Sequence, residues 1–241
     1  MEENKSWKKA DKEERTYCIE GQGDLPSVTT ILGQLDKSGA LMGWVAKITY
    51  NYLIDHQEEL KTAQDPTEVF KKAKTYYKEI QQTALDFGSA LHNLIEVYLK
   101  EQKVDGLLEE NTLLNKPFEQ FKEWQKKYNF ELIQSEHIIW SEMRYAGTLD
   151  CVARLNDKLY VVDFKSSKAI YDDYLWQISA YMKAYEERTN GEVAGLGILR
   201  LPKNTDDVYE WREYTLEQAN DAFDCFMHLC SLWWAKKMLK K

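Results

Sequence analysis

Hydrophobic and polar positions follow two different rhythms along the chain. Over residues 38–62, Leu41, Trp44, Val45, Ile48, Tyr52 and Leu53 recur at helical spacing, which predicts one helix. Asp65-Pro66-Thr67-Glu68 reads as a helix start, with Asp as N-cap, Pro in the first position and Glu three residues after the cap. That helical pattern runs to about residue 102, with a break expected near residue 83. Asn111 opens a further helix ending near Tyr128. From there the rhythm shortens. Residues 130–140, 145–155 and 158–165 are rich in β-branched and aromatic residues with partial alternation, which predicts three strands. Helical spacing returns over 172–189, opened by Asp172 and ended by Gly191. Residues 192–201 and 207–214 read as strands, and Thr215-Leu216-Glu217-Gln218 is a capping box opening a last helix to about residue 239. Ahead of these elements, residues 1–15 are polar and charged and are expected to fray, and 16–24 read as a short hairpin or strand with Gly21 and Gly23 making a turn.

Helices, three strands, a helix, two strands and a helix make a mixed sheet flanked by helices, an α/β (α+β) fold with a helical N-terminal part. We expect a single domain over 1–241: an N-terminal elaboration at 1–82, a core at 83–201, and a C-terminal strand and helix at 202–241. The formal charge of −8 excludes a protein that holds nucleic acid by bulk positive charge, but not one that binds it in a local groove. No run of 18 apolar residues is present, so no membrane partner is expected. Met1-Glu2-Glu3-Asn4-Lys5 lacks a signal-type apolar region, so a cytoplasmic place is expected. Cys18, Cys151, Cys225 and Cys230 form no C-x-x-C pair, and free thiols are the expected state.

The chemistry concentrates in Gly147-Thr148-Leu149-Asp150 and Val161-Val162-Asp163-Phe164-Lys165. If Asn156-Asp157 is a two-residue turn, for which both residues suit positive φ, Asp150 lies opposite Asp163 and Thr148 opposite Lys165. Asp150, Asp163 and Lys165 then share one face of the hairpin. Cross-strand Cβ atoms are about 5 Å apart, and two carboxylates that close repel unless something lies between them. A divalent cation removes the repulsion and suits hard oxygen ligands. Lys165 could then orient a water or stabilise developing negative charge. This is equipment for metal-assisted hydrolysis of a phosphodiester. Asp163 also ends the apolar run Leu159-Tyr160-Val161-Val162, and a charge at the end of a buried strand needs a partner or a job.

Two helical features support this reading. In Phe87-Gly88-Ser89-Ala90-Leu91-His92, small residues permit close packing, and His92 has Glu96 one turn later on the same face. An imidazole beside paired carboxylates makes a third ligand for Mn²⁺ or Mg²⁺. Gln177 and Tyr181, at i and i+4 in the helix after Lys165, could reach the same place, while Leu175, Ile178 and Met182 mark the buried stripe.

In this order the residues resemble the PD-(D/E)XK nuclease superfamily, specifically its RecB-like exonuclease branch: Gly88…His92, Gly147-Thr148-Leu149-Asp150, Asp163-Phe164-Lys165 and Gln177…Tyr181. The resemblance covers about residues 85–200, and Leu25-Pro26-Ser27-Val28-Thr29-Thr30-Ile31-Leu32 is similar to a segment of phage and prophage members. It implies a restriction-endonuclease-like core. His92, Asp150, Asp163 and the Phe164 backbone carbonyl would hold Mg²⁺ or Mn²⁺. Lys165 would be the catalytic lysine, with Gln177 and Tyr181 positioning it or the DNA backbone. Glu136 stands where some relatives carry a functional Glu, and Glu136 and Glu96 are additional candidates. The implied activity is metal-dependent hydrolysis of DNA, from single strands or duplex ends, in recombination, repair or phage DNA processing, inside a bacterial or phage-infected cell. A structure-specific or restriction-type endonuclease and a catalytically silent DNA-binding protein are the alternatives. Some members carry a four-cysteine iron–sulfur cluster, but the cysteine spacing here does not fit, so none is expected. There is no Gly-x-x-x-x-Gly-Lys-Ser/Thr loop, so a helicase or recombinase partner would be a separate protein.

For DNA contacts, Ser27, Thr29 and Thr30 could donate to phosphate or equally cap a helix. Lys71, Lys72, Lys74 and Lys78 with Tyr76 and Tyr77 suit a single strand, or form a solvated face over a tyrosine-lined core. Lys236, Lys237, Lys240 and Lys241 complement the last helix's dipole, and Trp233 and Trp234 read as core.

Overall fold

The computed structural model describes residues 15–189, 191–203 and 207–239. Residues 1–14, Lys240 and Lys241, on which some of the expectations above fall, lie outside the described residues. The chain forms two compact units, Met1–Gln34 with Leu91–Lys241, and Leu35–Ala90.

In the larger unit, β1 (Thr16–Ile19) and β2 (Gly23–Pro26) form the expected hairpin, and Gly21 and Gly23 take φ of 78° and 74°. Ser27 then caps the short α1 (Val28–Leu32), its Oγ accepting from the Thr30 amide at 2.9 Å. The main sheet has the order β3-β4-β5-β6-β7: β3 (Glu131–Ser141), β4 (Tyr145–Leu155), β5 (Lys158–Lys165), β6 (Gly195–Arg200) and β7 (Glu210–Tyr214). All pairs are antiparallel except β5 with β6, which are parallel. A parallel pair needs a crossover. That crossover is α7 (Asp172–Arg188), which packs against β3, β4, β5 and β6.

Local chemistry fixes these elements. Asn156 and Asp157 take φ of 48° and 67°, the left-handed pair a two-residue turn requires, and Leu155 pairs with Lys158 across it. At the start of α8 (Leu216–Leu239), the Gln218 amide donates to Thr215 Oγ1 at 3.2 Å and the Thr215 amide to Gln218 Oε1 at 3.0 Å. This is the reciprocal capping box. α6 (Asn115–Lys127) buries Phe118, Phe121 and Trp124 at helical spacing. Phe164 of β5 meets Phe121 edge-on, with ring centroids 5.6 Å apart. Aromatic pairs of this kind contribute about 0.5–1.5 kcal/mol beyond burial, and this one seats the end of β5.

The smaller unit holds α2 (Ser38–Asp55), α3 (Gln57–Thr62) and most of α4 (Thr67–Glu101). Its core is Tyr52, Val69 and Ala73, with Leu53, Leu60 and Tyr76 packed on it. The single helix expected over 38–62 is interrupted at His56, whose Nδ1 lies 2.8 Å from the Tyr52 carbonyl and whose ring stacks on Tyr52. The break expected near residue 83 is absent, and α4 runs unbroken from 67 to 101. Thr83 Oγ1 donates to the Glu79 carbonyl at 2.9 Å, a bond that keeps a threonine inside a helix. The boundary at residue 82 therefore falls within a continuous helix.

α5 (Asp105–Glu110) and a short turn at Thr112–Leu114 lead into α6. The four cysteines are free. Among the described residues no helix is long and apolar enough to cross a membrane.

Candidate active site

The C-terminal part of α4, the middle of β3 and β4, and the end of β5 bring charged side chains together within the larger unit. His92, Glu136 and Asp150 each offer a ligand atom, and these atoms lie within 4.8 Å of one another. Sheet register explains the approach of Glu136. Ser135 pairs with Cys151 and His137 with Leu149, so Glu136 lies across from Asp150. A register shift between Leu132 and Gln134 sets that alignment, and Glu136 itself takes φ of 47°. A non-glycine residue in the left-handed region stores roughly 1–3 kcal/mol of strain, and such residues cluster at functional sites.

Asp150 is fixed from two sides. Its Oδ2 accepts from the Phe164 amide at 2.9 Å and lies 3.5 Å from His92 Nδ1. The expected register holds, since Leu155 pairs with Lys158 and Cys151 with Val162, and the next positions in line are Asp150 and Asp163. The β4–β5 ladder ends at Cys151↔Val162, and the Asp150 side chain takes the next β5 amide in place of a backbone carbonyl. The ladder does not extend as far as Thr148 and Lys165, which pair on their other edges with Ile138 and Arg200.

Asp163 and Lys165 share a face, as period two requires, and make their own contact. Lys165 Nζ lies 2.6 Å from Asp163 Oδ2, with Asp163 1% exposed. Asp163 Oδ1 is fully buried and accepts no hydrogen bond among the described residues. Lys165 also sits over the Tyr174 ring, 5.0 Å from its centroid.

These positions set the protonation states. Burial, then the carboxylates of Asp150 and Glu96, push the Glu136 carboxyl up to about 7, against the opposing pull of His92 and Lys100. Burial also raises Asp163, with Lys165 pulling the other way and Asp150 adding to the rise. Burial alone would lower Lys165, but the Asp163 and Asp150 charges outweigh it and hold the ammonium above its usual range. Burial raises the Tyr181 phenol far above its ordinary value, so it stays neutral.

Gln177 Nε2 donates to Tyr181 Oη at 3.1 Å, leaving the phenol proton for another acceptor. Gly147 makes room for that tyrosine: a Cβ there would lie 2.5 Å from Tyr181 Cε1. Thr148 Oγ1 hydrogen-bonds to Tyr17 Oη at 3.0 Å. Glu96 is ion-paired with Lys100 through its Oε1.

The family model of the PD-(D/E)XK nuclease superfamily matches residues 60–239. The chain belongs to the PD-(D/E)XK nuclease superfamily. No curated protein matches it. The five-stranded mixed sheet flanked by helices is consistent with the restriction-endonuclease-like fold of such nucleases.

A nuclease of this superfamily uses a divalent metal, and the donor set here fits one. The His92, Glu136 and Asp150 atoms are oxygen-rich with one imidazole, which suits Mg²⁺ or Mn²⁺. The orphaned Asp163 Oδ1 is a further buried oxygen in want of a partner. Of the four ligands expected from sequence, His92 and Asp150 belong to the cluster, while Asp163 is engaged by Lys165. The Phe164 amide serves Asp150, and its ring lies 6.3 Å from that of His92. Glu136 takes a place in the cluster itself, and Glu96 acts on it electrostatically.

The candidate DNA contacts are not part of this cluster. Ser27 Oγ bonds to Thr29 and Thr30, and Thr30 Oγ1 donates to the Arg15 carbonyl, so these hydroxyls are engaged in capping α1. In the smaller unit Lys71 and Lys74 are exposed, Lys71 is paired with Glu68, and Tyr76 and Tyr77 pack on Tyr52 and Trp44. Lys237 sits over Trp233, which is buried.

Sequence reasoning missed Tyr17, Lys100 and Tyr174. Tyr174 was within reach of the same rule that found Gln177 and Tyr181, since 174, 177 and 181 share one helix face. Nothing local marks Tyr17, which lies 131 residues from Thr148.

Proposed function

We propose that this PD-(D/E)XK protein is a metal-dependent DNA exonuclease of the RecB-like type, acting on single strands or duplex ends in recombination, repair or phage DNA processing. The observation that carries the nuclease chemistry is the meeting of His92, Glu136 and Asp150 beside the buried Asp163–Lys165 pair. The exonuclease assignment rests on the ordered motifs Gly88…His92, Gly147…Asp150, Asp163-Phe164-Lys165 and Gln177…Tyr181.

In this reading His92, Glu136, Asp150 and Asp163, with the Phe164 carbonyl, hold Mg²⁺ or Mn²⁺. A cation there supplies Lewis-acid polarisation of a phosphate oxygen and of water. The chain's own residues do the rest. Lys165, kept protonated by Asp163, places an ammonium where negative charge develops on the phosphate. Asp150 is held by the Phe164 amide, so its second oxygen keeps a fixed direction. Gln177 orients Tyr181, whose proton is offered to a substrate or carboxylate oxygen. Without a cation the clustered carboxylates repel a phosphate, so the metal-free protein is inactive.

The test is digestion of single- and double-stranded DNA labelled at either end, with Mg²⁺, Mn²⁺ or chelator, beside Lys165→Ala. Metal-dependent shortening from ends, lost in the variant, is the expected result and gives the polarity. Cutting of closed circles would replace the exonuclease by an endonuclease. Binding without cleavage in any metal would leave a silent DNA-binding protein.

A further inference from the structure

The loop from Ser166 to Ile170 leads from the catalytic strand β5 into α7, and Tyr171 stands at its end. Tyr171 is 49% exposed, and its ring meets Tyr174 edge to face at 5.5 Å and 81°. Tyr174 in turn carries Lys165 Nζ 5.0 Å from its centroid. An exposed aromatic ring is thus joined to the catalytic lysine through one intervening ring. The two spacings put Tyr171 within roughly three nucleotides of stacked strand from Lys165. The same loop carries Lys168, exposed and with no carboxylate partner among the described residues.

The local sequence gives a second, independent observation. Tyr171 is the N-cap of α7, with extended backbone (φ −104°, ψ 156°) and no side-chain cap bond. Ser, Thr, Asp and Asn are the residues that stabilise this position. An aromatic ring here therefore works against the stability of its own helix. Its hydroxyl makes no hydrogen bond among the described residues. A residue that breaks a local rule with no structural return is the kind found at functional sites.

We infer that Tyr171, backed by Tyr174, is a stacking platform for an unpaired nucleobase of the strand being cut. The inference rests on the nuclease reading for its ligand, and it adds the substrate contact that reading lacks. Every base has a π-face, so the platform holds single strands without regard to sequence. A paired base in a duplex is already stacked and gains less, so the platform favours unpaired ends.

The test uses the full chain, a fluorescein-labelled ten-residue oligodeoxythymidine, and the same oligonucleotide with its central residues abasic. Affinity is read by anisotropy in Ca²⁺, and cleavage in Mg²⁺ and Mn²⁺. Tyr171→Ser is expected to weaken binding of the thymidine oligonucleotide about tenfold. It should leave the melting temperature unchanged or higher, because serine is the better cap. Tyr171→Phe and Tyr171→Trp should bind as the wild type does. The abasic oligonucleotide should bind the wild type weakly, with no further loss in Tyr171→Ser. A Tyr171→Ser protein that binds the thymidine oligonucleotide as tightly as wild type overturns the platform. So does an equal loss with the abasic one. If Tyr171-dependent binding occurs but wild type cuts nothing in either metal, the platform stands and the nuclease reading falls. If wild type cuts and Tyr171→Ser cuts with the same KM and kcat, the reverse holds. Absence of any single-strand binding by wild type overturns the platform and leaves the nuclease reading to duplex ends.

Discussion

Glu136 offers the sharpest test of whether the carboxylates converge. Its carboxyl is raised to about 7 by burial and by the Asp150 and Glu96 charges. An ordinary Glu titrates at about 4.3. A group raised on folding favours the native state while protonated. Its contribution is fully present below the unfolded value and is lost as pH rises through about 7. A tenfold change in proton affinity is worth about 1.36 kcal/mol, so the full difference would be on the order of 4 kcal/mol. Glu136 is only half-buried, and solvent screening reduces that to roughly 1–2 kcal/mol.

The perturbation is Glu136→Gln, which keeps the shape and removes the charge. In chelator, wild type should lose about 1–2 kcal/mol of stability between pH 5 and pH 8 relative to Glu136→Gln. For a chain of this size that is roughly 2–8 °C in melting temperature. Mn²⁺ at pH 8 should then raise the wild-type melting temperature strongly, because binding favours the folded state. Glu136→Gln should gain much less, having lost one ligand. Thermal unfolding followed by circular dichroism at pH 5, 6, 7 and 8, with and without Mn²⁺, reads both effects. Parallel pH profiles for the two proteins in chelator would refute the reasoning, since they would place Glu136 outside the field of Asp150. Equal gains from Mn²⁺ would remove Glu136 from the ligand set while leaving His92 and Asp150 in place.

Three further outcomes follow from the geometry. Lys165→Met leaves Asp163 as an unpaired buried charge and should destabilise the protein by about 3–5 kcal/mol at pH 8 in urea titrations; Asp163→Asn/Lys165→Met should recover much of that stability with no cleavage activity. Gly147→Ala drives a methyl against Tyr181 Cε1 and should lower stability by about 1–3 kcal/mol in urea titrations and lower kcat with it. Thr215→Ala removes half of the reciprocal cap on α8 and should lower the melting temperature by roughly 2–4 °C, with KM and kcat unchanged, a control for instability alone.

What the sequence makes legible here is what short-range geometry controls. Asn156-Asp157 marks its own turn because both residues must take positive φ, and that turn aligns β4 with β5. Asp163 and Lys165 share a face because side chains alternate along any strand. Thr215 and Gln218 cap α8 through bonds within four residues. Face and order are therefore readable, but the choice of partner is not. Period two cannot say whether the Asp163 carboxylate turns to Asp150 or to Lys165, and the structure has it on Lys165 at 2.6 Å. Nor can it bring Glu136 to Asp150, because that depends on a one-residue shift in the β3–β4 register and on a left-handed backbone at Glu136. The helix break expected near residue 83 is absent, and Thr83 there has its hydroxyl satisfied on the Glu79 carbonyl. The choice of partner at the site has a cause with chemical meaning. The polar side chains of this site compete for a few neighbours, and the competition is decided in three dimensions. Lys165 neutralises Asp163, and this leaves His92, Glu136 and Asp150 as the cluster whose repulsion remains to be relieved. The carboxyl of Glu136 is raised by burial first and then by the Asp150 and Glu96 charges, and a divalent cation is the partner whose charge and oxygen preference match such a group.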